Sequence, residues 1–181
     1  MTKFSKLFHG AAFGVLAFCA LALVSIGQAS AQVTCPAGSV NHGGVTLNET
    51  HIFCGEYSSN KVKGFHSRPG GVNPTTVSNV TVTVQPDARG IYEITFSMNG
   101  KSKSSTMFPD SCSKDQVVKS VLYAYANKAN NSACVWGECG PNRPDPKPTD
   151  GTETQYCNAD NDALFNISLG KPYVNTAFPN R

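Results

Sequence analysis

Val77–Phe108 reads VSNVTVTVQPDARGIYEITFSMNGKSKSSTMF, and its pattern sets the fold class. Over Val77 to Val84, Val80, Val82 and Val84 alternate with polar residues, the period of a strand with one buried face. Pro86 and Gly90 make Gln85 to Gly90 a turn. Ile91 to Met98 is β-branched and aromatic again, Asn99-Gly100 supplies a two-residue turn that takes positive φ at both positions, and Lys101 to Phe108 returns beside its predecessor. The result is a meander of three antiparallel strands. In such a hairpin Met98 faces Lys101 and Phe96 faces Lys103, so both lysines share the face that carries Ile94 and Met107. A lysine aimed at that side calls for an explanation.

On the C-terminal side, Pro109 closes the meander and Ser113 with Gln116 forms a capping box. Val117, Val121 and Tyr125, flanked by Val118 and Leu122, make an apolar stripe at helical spacing, which predicts a helix from Lys114 to Ala129. Pro141, Pro144, Pro146 and Pro148 make Gly140 to Gly151 a loop with polyproline character. Ala163 to Leu169, a Gly170-Lys171-Pro172 turn and Tyr173 to Phe178 read as a closing hairpin. On the N-terminal side, Cys35 to Asn48 shows no period and reads as irregular. Antiparallel β-hairpins and sheets with one main helix place the chain in the α+β class.

Lys3 and Lys6, the apolar or small run from Ala11 to Ile26, and Ala29-Ser30-Ala31 follow the order of a secretory signal, with residues 1–31 removed. The apolar run is short for a bilayer span. Removing 31 of 181 residues leaves 150, a length for one domain over 32–181. Of the seven cysteines, Cys19 departs with the leader and Cys35, Cys54, Cys112, Cys134, Cys139 and Cys157 remain. An even set in an exported chain favours disulfides over zinc, since no C-x-x-C occurs, and the pairing is open. With two of the fifteen basic residues in the leader, thirteen basic face twelve acidic residues, a net charge of +1. That balance does not demand a nucleic-acid partner, although Gln32 to Lys128 carries nine basic against six acidic residues.

The segments His51-Ile52-Phe53-Cys54-Gly55-Glu56 and Gly64-Phe65-His66-Ser67-Arg68-Pro69 carry two of only four histidines. His9 lies in the leader, and His42 sits beside Gly43 and Gly44, where a solvated role is the default. Paired imidazoles titrate near neutrality, so one can accept a proton while the other donates one. RNA cleavage needs such a pair: one group takes the proton of a ribose 2′-OH, the other protonates the departing 5′ oxygen, and a cation steadies the phosphoryl charge. Lys101 and Lys103 are the candidate cations. Gly55 and Gly64 lie close by and would let backbone approach a ligand.

These residues resemble the EndoU endoribonuclease family, in particular its bacterial branch. The resemblance rests on H-I-x-x-G-E at His51 to Glu56, G-F-H-S-R-P at Gly64 to Pro69, the fourteen residues between the histidines, S-T-M-F-P at Ser105 to Pro109, and V-N-T-A-F-P at Val174 to Pro179. It implies an EndoU-like fold and a catalytic group of His51 as acid, His66 as base and a lysine, with Lys103 preferred to Lys101. It also implies base contacts from Thr106, Thr176 and Phe178, uridylate preference, and products with a 2′,3′-cyclic phosphate and a 5′-hydroxyl. Phe178 stands where the family often has tyrosine, which keeps a stacking face and loses the hydroxyl. Arg68 is a candidate phosphate contact and Glu56 a local structural partner.

The sequence therefore points to a secreted or periplasmic, metal-independent endoribonuclease acting on single-stranded or loop RNA, without membrane attachment after loss of the leader. It requires no cofactor, with stimulation by manganese left open. A toxin role, with a cognate immunity protein as partner, and scavenging of extracellular RNA are both compatible with export. The alternative is a catalytically silent binder of RNA or other polyanions on the same scaffold; a weaker third reading makes the histidines metal ligands.

Overall fold

The computed structural model describes residues 34, 35, 38–158, 162 and 164–181. The leader expected over residues 1–31 lies outside the described residues. Among those described, no helix is long and apolar enough to cross a membrane.

The chain runs through β1 (Val40–His42), β2 (Val45–Leu47), α1 (Glu49–Phe53), β3 (Glu56–Ser58), β4 (Lys61–Lys63), β5 (Ser78–Val84), β6 (Tyr92–Met98), β7 (Lys101–Met107), α2 (Lys114–Ala126), β8 (Ala129–Asn130), β9 (Glu138–Pro141), β10 (Asn166–Gly170) and β11 (Thr176–Pro179). It is α+β, with small antiparallel sheets and one main helix.

The expected meander is present as the sheet β5-β6-β7, with Met98 opposite Lys101 and Phe96 opposite Lys103. Its inner face buries Tyr92, Ile94, Phe96 and Met107. Phe65 arrives from outside the sheet, is fully buried there, and meets the Phe96 ring edge-on at 5.1 Å between centroids. Full burial of an aromatic of this size contributes about 1.5–3 kcal/mol, so Phe65 is a firm anchor for its neighbours in the chain.

A second sheet has the order β11-β10-β9-β8 and carries α2 on one face. Val117, Val121 and Ala124 of the helix pack with Ile167, Leu169 and Ala177 of the strands, and Ile52 and Phe53 of α1 join the same core. The Ser113–Gln116 capping box forms as read, with Gln116 N donating to Ser113 Oγ and Ser113 N donating to Gln116 Oε1.

Several local expectations change. α2 stops at Ala126 rather than Ala129, because the chain turns at Asn127 and Ala129–Asn130 pair with β9 as a sheet edge. The loop expected from Gly140 starts later. Glu138–Pro141 is an inner strand, with Pro141 opposite Asn166 at the end of its ladder, where a missing N–H costs least. The closing hairpin is shorter than read, since Val174 leaves it to bridge Leu47. The stretch before Asn48 is not irregular: Val40–His42 and Val45–Leu47 form a hairpin around Gly43-Gly44. A further hairpin, β3–β4, turns at Ser59 and Asn60, both with positive φ (50° and 58°).

Among the described residues six cysteines form Cys35–Cys54, Cys112–Cys157 and Cys134–Cys139 disulfides. Three disulfides suit an oxidising compartment. Cys35–Cys54 closes the end of α1, three residues beyond His51.

Candidate active site

The site lies where β4, β7 and β11 meet beside α1. Asn48 caps α1: its side-chain oxygen accepts from His51 N at 3.1 Å while its backbone N–H donates to Val174 O at 3.0 Å. Capping satisfies an otherwise orphaned helix N–H, and here it also ties the turn that carries His51 to the C-terminal segment. His51 Nδ1 lies 2.7 Å from Glu56 Oε2, and Glu56 Oε1 accepts from Asn48 Nδ2 at 3.0 Å. An ionised carboxylate only accepts, so Nδ1 carries the hydrogen.

His66 stands on an extended segment held by backbone bonds. Phe65 N donates to His51 O at 2.7 Å, His66 N to Ile52 O at 2.7 Å, and Phe108 N to His66 O at 2.8 Å. Phe65 is left-handed (φ 59°), a conformation that costs a bulky residue about 1–3 kcal/mol and that its burial in the meander core offsets. His66 Nδ1 lies 3.0 Å from Thr106 O and 2.8 Å from Ser105 Oγ. A carbonyl cannot donate, so this ring too carries its hydrogen on Nδ1, shared with a Ser105 hydroxyl that gives its own proton to Gly64 O at 3.3 Å. Both rings thus keep Nε2 for other work.

The two ring centroids are 5.8 Å apart at an interplanar angle of 29°, and Phe178 stacks on His66 at 5.1 Å. Each histidine is only 6% exposed, yet both line one open cleft of about 510 Å³ together with Lys103, Thr106, Thr176 and Phe178. The rings are therefore neither on opposite sides of the molecule nor sealed in the core.

Burial and the nearby Lys103 and His51 charges hold the His66 imidazole well below its ordinary 6.5. Burial lowers His51 as well, but the hydrogen bond and charge of Glu56 oppose the shift. The ordering makes His66 the ring that sheds its proton first and His51 the one that keeps its proton to higher pH. Lys103 donates to Ser104 O at 2.8 Å, lies 5.8 Å from the Phe96 ring centroid, and is pushed down to about 8 by burial. It faces both histidines as a cation.

The structure separates the candidates. His51, His66, Lys103, Thr106, Thr176 and Phe178 come together. Lys101, on the same face of β7 but at the exposed hairpin end, does not line the cleft. Nor does Arg68: its guanidinium bonds Tyr92 Oη at 2.7 Å and pairs with Asp110 at 3.0 Å in a different cavity. Gly70 N bonds Asp110 O at 2.8 Å, so that pair braces the turn after His66. Gly55 and Gly64 make room for protein rather than for ligand: a Cβ on Gly64 would stand 2.1 Å from His51 O, and one on Gly55 3.1 Å from Met98 Cε. His42 is not simply solvated, since Nε2 lies 2.8 Å from Glu49.

Sequence reasoning missed Glu56 as the partner of His51, Ser105 as a partner of His66, and Asn175, which lines the cleft and accepts from Asn48 Nδ2 at 3.3 Å. Thr176 Oγ1 is buried against the cleft with no hydrogen-bond partner among the described residues. Also among these, no group of three or more His, Cys, Asp or Glu side chains is placed to hold a metal.

Searches among curated proteins and among solved structures returned no match. The family model of the bacterial EndoU nuclease matches residues 46–180, which takes in every residue of the cleft. On a match over most of its length, the chain belongs to the bacterial EndoU nuclease family.

Proposed function

We propose that this EndoU-family chain is an exported, metal-independent endoribonuclease that cuts single-stranded or loop RNA by transesterification. The observation that carries the proposal is the pair of imidazoles facing one cleft, each with Nδ1 committed to an acceptor behind it and, among the described residues, Nε2 left for a substrate.

His66 Nε2 takes the proton of the ribose 2′-OH as that oxygen bonds to phosphorus. His51, protonated on Nε2 and steadied by the Glu56 carboxylate, gives its proton to the 5′ oxygen as the P–O5′ bond breaks. Lys103 offsets the charge growing on the phosphoryl oxygens. The products are a 2′,3′-cyclic phosphate and a 5′-hydroxyl, and the two rings end in exchanged protonation states. The unpartnered Thr176 Oγ1 is a specificity group for the base edge, with uridine preferred, while Thr106 and the Phe178 ring bound the same pocket. The three disulfides support work in the periplasm or outside the cell. There the enzyme serves as a toxin, with an immunity protein as partner, or as a scavenger of RNA.

The test is to incubate the oxidised protein with a short mixed-sequence RNA in EDTA and to identify the new ends. A cyclic phosphate 3′ to one preferred base supports the proposal. Intact RNA that is nevertheless bound replaces the enzyme with a silent RNA binder.

A further inference from the structure

The cleft continues past Thr176. Asn175 and Thr176 also line an adjoining cavity of about 350 Å³ with Leu169, Gly170 and Lys171. Those last three residues in turn line another of about 160 Å³ with Tyr125, Lys128 and Tyr173. Each cavity shares wall residues with the next, so the three succeed one another from the histidines along the connection between β10 and β11, a stepped furrow in the sense of that sequence.

The far end of the furrow has a particular chemistry. Tyr173 is 43% exposed, a large aromatic face open to solvent. Lys128 Nζ stands 3.9 Å over the Tyr125 ring, a cation already seated on an aromatic. The Lys171 side chain is 70% exposed with its ammonium 3.0 Å from Glu138, whose single charge offsets one of the two lysines and leaves a net positive charge. Aromatic faces beside ammonium groups bind single-stranded nucleic acid, because every base has a π-face to stack and every link a phosphate to neutralise.

We infer that this furrow is a second nucleotide subsite, in which a nucleotide beyond the two that share the scissile link stacks its base on Tyr173 and sets its phosphate against Lys171 and Lys128. The inference rests on the ribonuclease reading of the cleft, so its test is built to fail separately from that reading.

Dissociation constants are measured by fluorescence anisotropy for an uncleavable 2′-O-methyl dinucleotide and an octanucleotide, and their ratio is compared between proteins. The wild type is expected to prefer the octanucleotide. Tyr173→Ala and Lys171→Ala should each cut that preference by about fivefold or more, the effect of losing one stacked base or its phosphate contact. Tyr173→Trp should restore it, and Lys119→Ala, which removes a positive charge from exposed α2 surface, should not alter it. A preference unchanged in Tyr173→Ala, or not restored by tryptophan, overturns the subsite. Cleavage of an octaribonucleotide by the wild type is scored in parallel. Uncut RNA with the expected ratios removes the nuclease and keeps the subsite, whereas cut RNA with unaltered ratios does the reverse.

Discussion

His51 stands on one turn of helix and leans on a carboxylate; His66 stands on an extended segment, anchored by a left-handed phenylalanine, and leans on a backbone carbonyl. A carboxylate stabilises the imidazolium, while a neutral carbonyl fixes a tautomer without adding charge. Burial lowers both rings most; Glu56 opposes the fall at His51, while the charges of Lys103 and His51 deepen it at His66. On the proposed mechanism, the division into acid and base follows from burial and the charges around each ring, with Glu56 behind His51 marking the acid.

The strongest way to break this comparison is to remove either ring. His66→Ala and His51→Ala should each lower kcat by about 10²–10⁴, measured on a defined RNA. The double variant should be little worse than the poorer single, since in the proposed mechanism the two proton transfers belong to one step. Lys103→Ala comes next, with a loss of about 10²–10³ in kcat, whereas Lys101→Ala should change little. An equal loss from Lys101 would contradict its place outside the cleft.

Phe65→Ala sharpens the contrast from the structural side. It should cost about 3–5 kcal/mol in denaturant unfolding. In the protein that remains folded, the environment of His66 should loosen more than that of His51, as read from the imidazole NMR signals. The smallest effect expected is none: excess EDTA should leave the rate unchanged, because Lys103 supplies the cation, and a loss restored by manganese would refute that assignment.

The regions also differ in how much of them could be read from residues alone. Valine alternation and Asn99-Gly100 specify the meander, and Ser113 with Gln116 specifies the start of α2, because long elements repeat their signal. The elements around the histidines are three to five residues long and hold less than two periods of any pattern. Their turns did leave marks in Gly43-Gly44 and in Asn60, which alone were too weak to decide hairpins. The register shows that Lys101 and Lys103 share a face, but packing of β4 on β7, many residues away in sequence, decides which one enters the cleft. Glu56 was visible in the motif, yet its role depends on the chain reversing at Gly55 so that the carboxylate returns to His51. Arg68 looked like a phosphate contact until Tyr92 and Asp110, far along the chain, proved to hold it.

The division of labour is tested most directly by the pH dependence of kcat/KM for the wild type and Glu56→Gln. In the proposed mechanism the active form has His66 neutral and His51 charged, so the rate should rise as His66 loses its proton and fall as His51 does. Both imidazoles are lowered, which puts the optimum on the acid side of 6.5. Replacing Glu56 removes the group that opposes the fall at His51 and should move the descending limb to lower pH, leaving the ascending limb in place. A variant whose ascending limb moves instead, or whose profile matches the wild type, would contradict the assignment of His51 as the acid.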